Sequence, residues 1–282
     1  MSPATPNKPG LPEGPIEPFD LAFACYLYES MTPYKGGLDR FRATTGAAPD
    51  LKREDHRLAL LKFLNDWGCR NLAKEWHGLA SEELDRWYSG AEDLLRLPDG
   101  SRADRDMTRL GDLTTVFDSL STCIAARKVR YGKEMLVSFG PTATSKTLFA
   151  LRPDMLPAWD GPMRTAFGHH GGGESYAEFV EDIHHKIVET ELYCQSRGFS
   201  LEDLPAKLER PASTSVVQLV IEYYWITITR SAAIGDEPVL LTLLEPGQLE
   251  PSRCLASTQL GPVATARQRD AQFPAHSSEV RV

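Results

Sequence analysis

The residues of this chain best suited to chemistry lie close together, between positions 127 and 164. Asp160 directly precedes a Gly161-Pro162 step, and Arg164 follows about one helical turn later. Aspartate ahead of such a step caps a helix, because its oxygens accept from free backbone N–H groups and proline suits the first turn. The same N–H groups and the helix dipole favour the ionised carboxylate. A charge held in this way stabilises a cation that develops as a leaving group departs, and it can orient water for attack. Lys146, in the run 140–147 (GPTATSKT) and expected to open a short helix, carries an amine able to attack an electrophile or to hold an anion. Arg127, Lys128, Arg130 and Lys133 form a basic cluster just ahead of that run, suited either to phosphate contacts or to a solvated face. Trp159 adjoins the carboxylate and offers either a stacking surface or a core side chain.

Two other chemistries compete for the same residues. The run 140–147 departs from the phosphate-binding pattern G-x4-G-K-[ST] only at Ser145, where glycine is expected, and 135–139 reads as the strand that would precede it. No alternating series of strands and helices surrounds it, as a nucleotide-binding α/β fold requires. The pairs His169-His170 and His184-His185 invite a metal reading, but adjacent histidines project in different directions and no recognised ligand spacing accompanies them. Neither a metal nor a cofactor is expected.

Helices must position these side chains. Leu58, Leu61, Phe63 and Leu64 give 55–65 a helical apolar spacing, and Gly68 suits its end. Ser81 is expected to cap a helix whose apolar face holds Leu84, Trp87, Tyr88, Ala91, Leu94 and Leu95. The segment 113–126 reads as a helix with Val116, Phe117, Leu120 and Ile124 on one side. A long amphipathic helix over 175–196 carries Phe179, Val180, Ile183, Ile187 and Leu192. The segment 213–230 is the most apolar, and its β-branched and aromatic residues leave helix and strand both open; 239–244 is equally ambiguous. Between the helices, 169–174 (HHGGGE) reads as a flexible turn that leaves room for a large ligand.

Composition narrows the class. The 282 residues are 41% hydrophobic and 25% charged, ordinary for a globular protein of one large domain or two small ones. Residues 1–17 and 246–282 are rich in proline and polar residues and are expected to be disordered tails around a mainly α domain spanning 18–245. The five cysteines are scattered, and the proline-rich start has no apolar core, so a reducing cytoplasmic location without a secretory leader is expected. The longest apolar run, 216–229, is too short for a bilayer and contains Glu222, so no membrane partner is expected. The formal net charge of −8 argues against a surface coated in nucleic-acid contacts, yet leaves a local basic face open.

Across 138–168, the Gly140-Pro141 turn with its Thr-Ala-Thr-Ser sequence, Lys146, the Leu-Pro-Ala-Trp-Asp run ending at Asp160, and Arg164 together resemble the helix-hairpin-helix DNA glycosylase superfamily. The resemblance implies a helical glycosylase-like domain containing a helix-hairpin-helix element and acting on double-stranded DNA. It makes Asp160 the carboxylate that assists loss of a flipped base, and Lys146 the nucleophile of the bifunctional members. It places Gly140, Thr142, Thr144, Ser145 and Arg164 against DNA, together with the basic cluster, and Trp159 beside the base. The family's hairpin has a second glycine where Thr142 stands, and its lysine-to-aspartate interval is longer than the one from Lys146 to Asp160. Simple hydrolysis without a covalent lysine adduct is therefore expected, on an unusual target such as a bulky modified base of phage DNA in an antiviral role. A non-enzymatic DNA-binding module remains the other expectation.

Overall fold

In a computed structural model the described residues are 14–32, 36–70, 72–95, 110–130 and 132–230. The chain divides after Gly235; the second unit, with the ambiguous segment 239–244 and the expected tail 246–282, lies outside the described residues, as does 1–13. The first unit is mainly α, as expected. Its helices are α1 (Pro18–Met31), α2 (Gly37–Thr45), α3 (Glu54–Asp66), α4 (His77–Leu95) and α5 (Leu110–Thr122). After an antiparallel pair, β1 (Ile124–Arg130) and β2 (Lys133–Ser138), come α6 (Gly140–Leu151), α7 (Gly161–Ala166), α8 (Gly173–Ser196), α9 (Leu204–Lys207) and α10 (Val216–Tyr224). A π-helical turn, Trp225–Thr229, continues α10.

The core gathers around α6, whose Thr144, Ser145, Thr147, Leu148, Phe149 and Ala150 are all buried. Helices α5 and α3 pack on it, α8 packs on α5, and α10 lies against α1 and α8. Gly173 lets two of these helices approach closely: a Cβ there would sit 2.3 Å from the Thr114 carbonyl oxygen, so α8 begins in backbone contact with α5. The Gly173 N–H also donates to Asp118 Oδ1 at 2.7 Å.

Several local expectations change. The fourth helix starts at His77, so Ser81 lies inside it and accepts from Arg57 Nε at 2.8 Å instead of capping. The segment 113–126 does not stay helical: α5 ends at Thr122 and Ile124 opens β1, with the Phe139 N–H donating to the Cys123 carbonyl at 3.0 Å to close the hairpin. Gly140 therefore follows a strand, and no helix leads into its turn. Segment 213–230 is helical over 216–229, capped by Ser215, whose Oγ accepts from Gln218 N at 3.0 Å and donates to the Pro153 carbonyl at 2.6 Å. The expected tail 1–17 also ends too late. Ile16 is buried, its N–H donates to Thr190 Oγ1 at 3.1 Å, and Lys186 Nζ donates to the Gly14 carbonyl at 2.6 Å, so 14–17 docks on α8.

Candidate functional site

Asp160 caps α7 as its sequence demands: Oδ1 accepts from Met163 N at 3.0 Å. Its Oδ2 accepts from Thr229 Oγ1 at 2.8 Å, so the π-helical turn reaches back to the head of α7. The segment leading to it is fixed from α6. Ser145 Oγ accepts the Trp159 N–H at 3.2 Å and lies at the same distance from the Trp159 carbonyl, while Trp159 Nε1 donates to the Pro141 carbonyl at 3.1 Å.

Lys146 falls in the middle of α6 and does not open it. Its Nζ donates to the Trp67 carbonyl at 2.5 Å and lies 5.8 Å from the Trp67 ring centroid. Lys146 and Asp160, fourteen positions apart in the chain, border one cavity of about 50 Å³, with Tyr28, Trp67 and Trp225 as aromatic neighbours and Gln218 and Glu222 on the α10 side. A second cavity of about 30 Å³ shares Tyr28, Trp67, Gln218 and Glu222 with it and extends towards Gly37 and Arg210. Gly37 lies so near the Trp67 indole that a Cβ there would sit 2.9 Å from Nε1.

Glu222 and Arg210 were not singled out from the sequence as site residues. Glu222 is only 3% exposed. Its Oε1 accepts from Arg210 Nη2 at 2.5 Å and from Gln218 Nε2 at 3.0 Å, and Arg210 reaches Glu29 with Nη1. Its Oε2 is buried without a hydrogen-bond partner, as is Trp67 Nε1. Burial pushes the Glu222 carboxyl up to about 7 although Arg210 and Gln218 favour its charge. The signal was present in the sequence as the one charged residue inside the apolar run 216–229.

The remaining expected contacts divide. Thr144 and Ser145 are fully buried in the core and cannot reach DNA, a correction that follows from their position on the inner face of α6. Gly140 (φ +67°) and Thr142 stay half-buried at the start of that helix. Because the helix begins at Gly140 itself, 140–147 forms no loop able to wrap a phosphate, and the only sheet among the described residues is the antiparallel pair. The nucleotide-binding alternative is thereby withdrawn. Trp159 is 1% exposed and packs against Phe117, Tyr176 and Phe179; although it borders the cavity, it serves the core and not as a stacking platform. Arg164 turns back over the Trp159 ring at 5.5 Å and leaves Nη1 buried without a hydrogen-bond partner; burial lowers the guanidinium pKa while the Asp160 charge raises it.

The basic cluster rides on the β-hairpin. Lys128, Lys133 and Arg127 are exposed, Arg127 pairs with Glu134 at 3.0 Å, and Arg130 ends β1 opposite Lys133. Val129 and Leu136 are exposed beside them, at 77% and 60%. The expected flexible turn 169–174 is tightly held instead. His169 is buried, with Nε2 at 2.8 Å from Asp182 Oδ2 and Nδ1 at 3.4 Å from Glu178 Oε2, and Gly173 is wedged on α5. A bulky base gains no room from that turn. A larger cavity of about 400 Å³ lies elsewhere, beside Asp154, Glu191 and Glu202. Its acidic lining does not suit phosphate, and none of the residues expected to act on or bind DNA borders it.

Among the described residues no group of three or more His, Cys, Asp and Glu side chains is arranged to hold a metal ion, and no helix is long and apolar enough to cross a membrane. No family model, curated protein or solved structure matches the chain.

Proposed function

We propose that the chain is a DNA glycosylase that hydrolyses the N-glycosidic bond of a flipped base through Asp160. The observation that carries this reading is the meeting of Asp160 and Lys146 at one aromatic-walled pocket, with the carboxylate at a helix N-terminus. An ionised carboxylate there offsets the charge of the sugar cation as the base leaves and orients the attacking water. A flipped base needs apolar walls and hydrogen-bonding groups at its edge, and Trp67, Trp225, Gln218 and Glu222 are of those kinds. Lys146 supplies a positive charge at the rim. Arg127, Lys128, Arg130 and Lys133 provide the phosphate contacts on an arm that stands clear of the core. The exposed basic hairpin alone also suits a DNA-binding module without catalysis, which is the second reading.

The test is incubation of the full chain with duplex DNAs of varied base modification, followed by alkali to cleave abasic sites. Asp160→Asn preserves the capping acceptor for Met163 N, so the variant should fold and bind DNA while forming abasic sites at least about a hundredfold more slowly. Borohydride should trap no covalent adduct with wild type. Binding without excision of any base favours the second reading, and undiminished excision by folded Asp160→Asn removes the catalytic assignment.

A further inference from the structure

Thr229 uses its hydroxyl in a way that other helical threonines of this chain do not. Thr45, Thr165 and Thr227 each donate to the backbone carbonyl four positions back, the local bond that a helix offers such a side chain. Thr229 donates instead to Asp160 Oδ2 at 2.8 Å, across 69 positions of chain. Capping does not require this bond, because Oδ1 alone accepts from Met163 N at the head of α7.

The bond is made from an irregular piece of helix. The Arg230 N–H donates to the Trp225 carbonyl at 3.0 Å, five positions back, where a regular α-helix joins residues four apart. Single π-turns of this kind are rare and frequent at functional sites. Two side chains of this one meet the candidate site: Trp225 borders the cavity shared by Asp160 and Lys146, and Thr229 bonds the carboxylate. The turn packs on α7, and Arg230 lies over the Trp225 ring at 4.7 Å. A carboxylate tied at one oxygen can still turn about its bond to the chain, whereas one tied at both oxygens has its plane fixed. An ionised carboxylate offers about four acceptor positions, so each Asp160 oxygen keeps a lone pair after these two bonds.

We propose, resting on the base-excision reading, that Thr229 is the positioning residue of the Asp160 carboxylate. Its hydroxyl holds Oδ2 while the Met163 N–H holds Oδ1, and the remaining lone pairs keep one bearing towards the attacking water and the sugar cation. The π-helical turn is the element that delivers the hydroxyl. Thr229 contacts neither base nor sugar and acts only through Asp160.

The experiment measures single-turnover excision by the full chain on duplexes carrying uracil, hypoxanthine, 8-oxoguanine or glucosylated hydroxymethylcytosine. Thr229→Val keeps the side-chain shape and removes the hydroxyl. On the duplex that wild type processes, it should lower the maximal rate at least about tenfold, because a small misplacement of a reacting group costs that much or more. The protein concentration giving half of that rate should stay within about twofold of wild type, since ground-state binding is untouched. Thr229→Ser returns the hydroxyl and should recover most of the rate. Added to Asp160→Asn, Thr229→Val should slow excision little further, because the carboxylate it acts through is already gone. If Thr229→Val does not fold, Thr229→Ala carries the same expectations. A wild-type rate in the folded variant, an equal loss in Thr229→Ser, or a further loss of about tenfold in the Asp160→Asn background overturns the assignment while base excision stands. Excision of none of these bases by wild type overturns the base-excision reading, and this assignment with it.

Discussion

Glu222 holds a carboxyl where charge is costly, and this has a measurable signature. Its folded-state pKa of about 7 stands above the usual value of 4.5, so the folded chain binds the proton more tightly than the unfolded one. Below pH 4.5 both states are protonated and nothing is lost. As pH rises from 4.5 to 7 the charged form is penalised in the fold, and stability falls by an amount on the order of 3 kcal/mol at most. Denaturant unfolding of wild type and Glu222→Gln across that range should show the difference growing in favour of the variant and levelling above about pH 7; a difference independent of pH contradicts the assignment. Asp160 and Glu222 also show how far single residues can be read from the chain. The cap at Asp160 depends on a residue three positions away, and the sequence displays it directly. Its second partner, Thr229, lies 69 positions on and is supplied only by the fold. Glu222 interrupts an apolar run, which was enough to argue against a bilayer, but its role depends on Arg210 and on a pocket no local pattern encodes.

At the scale of elements, the β-hairpin is where charge and shape coincide. If Lys128, Arg130, Lys133 and Arg127 face phosphates, replacing all four with glutamine should weaken binding to every duplex alike and flatten its dependence on salt, by about 0.9 in log–log slope for each phosphate no longer neutralised. An unchanged slope returns the arm to solvated surface. This was also the element least visible in the sequence. A strand announces itself by alternation only when one face is buried, and β1 and β2 expose residues on both faces, so the helical pattern of α5 was extended through Ile124. Helices α3 and α8 were readable because each buries one face over several turns, whereas α10, buried on nearly every side, shows no helical alternation and left helix and strand both open. The helix holding Lys146 was read as starting too late, since Gly140-Pro141 signals a turn and a first helical turn equally well.

At the scale of the molecule, the docked segment ahead of α1 sets where the ordered body begins. Comparing a chain that starts at residue 14 with one that starts at residue 18 isolates the buried Ile16 and its bond to Thr190. The shorter chain should unfold roughly 3 to 10 °C lower, given the burial of one isoleucine and the entropy of unfolding of a domain of this size. Equal midpoints would show that the segment adds nothing. Composition had assigned these residues to a tail because proline dominates their neighbourhood, and one isoleucine makes no pattern. Gly173 has a consequence of another kind. Alanine there puts a methyl group into the Thr114 carbonyl and forces α8 off α5, at some distance in the chain from Asp160, Lys146 and Glu222. Such a chain should fold in the cold and fail on warming, with a thermal midpoint well below that of wild type. Gly173→Ala is therefore a heat-sensitive allele in waiting: a shift of a few degrees deprives a cell carrying it of this protein, and an unaltered content of modified bases in its DNA afterwards would count against the base-excision proposal.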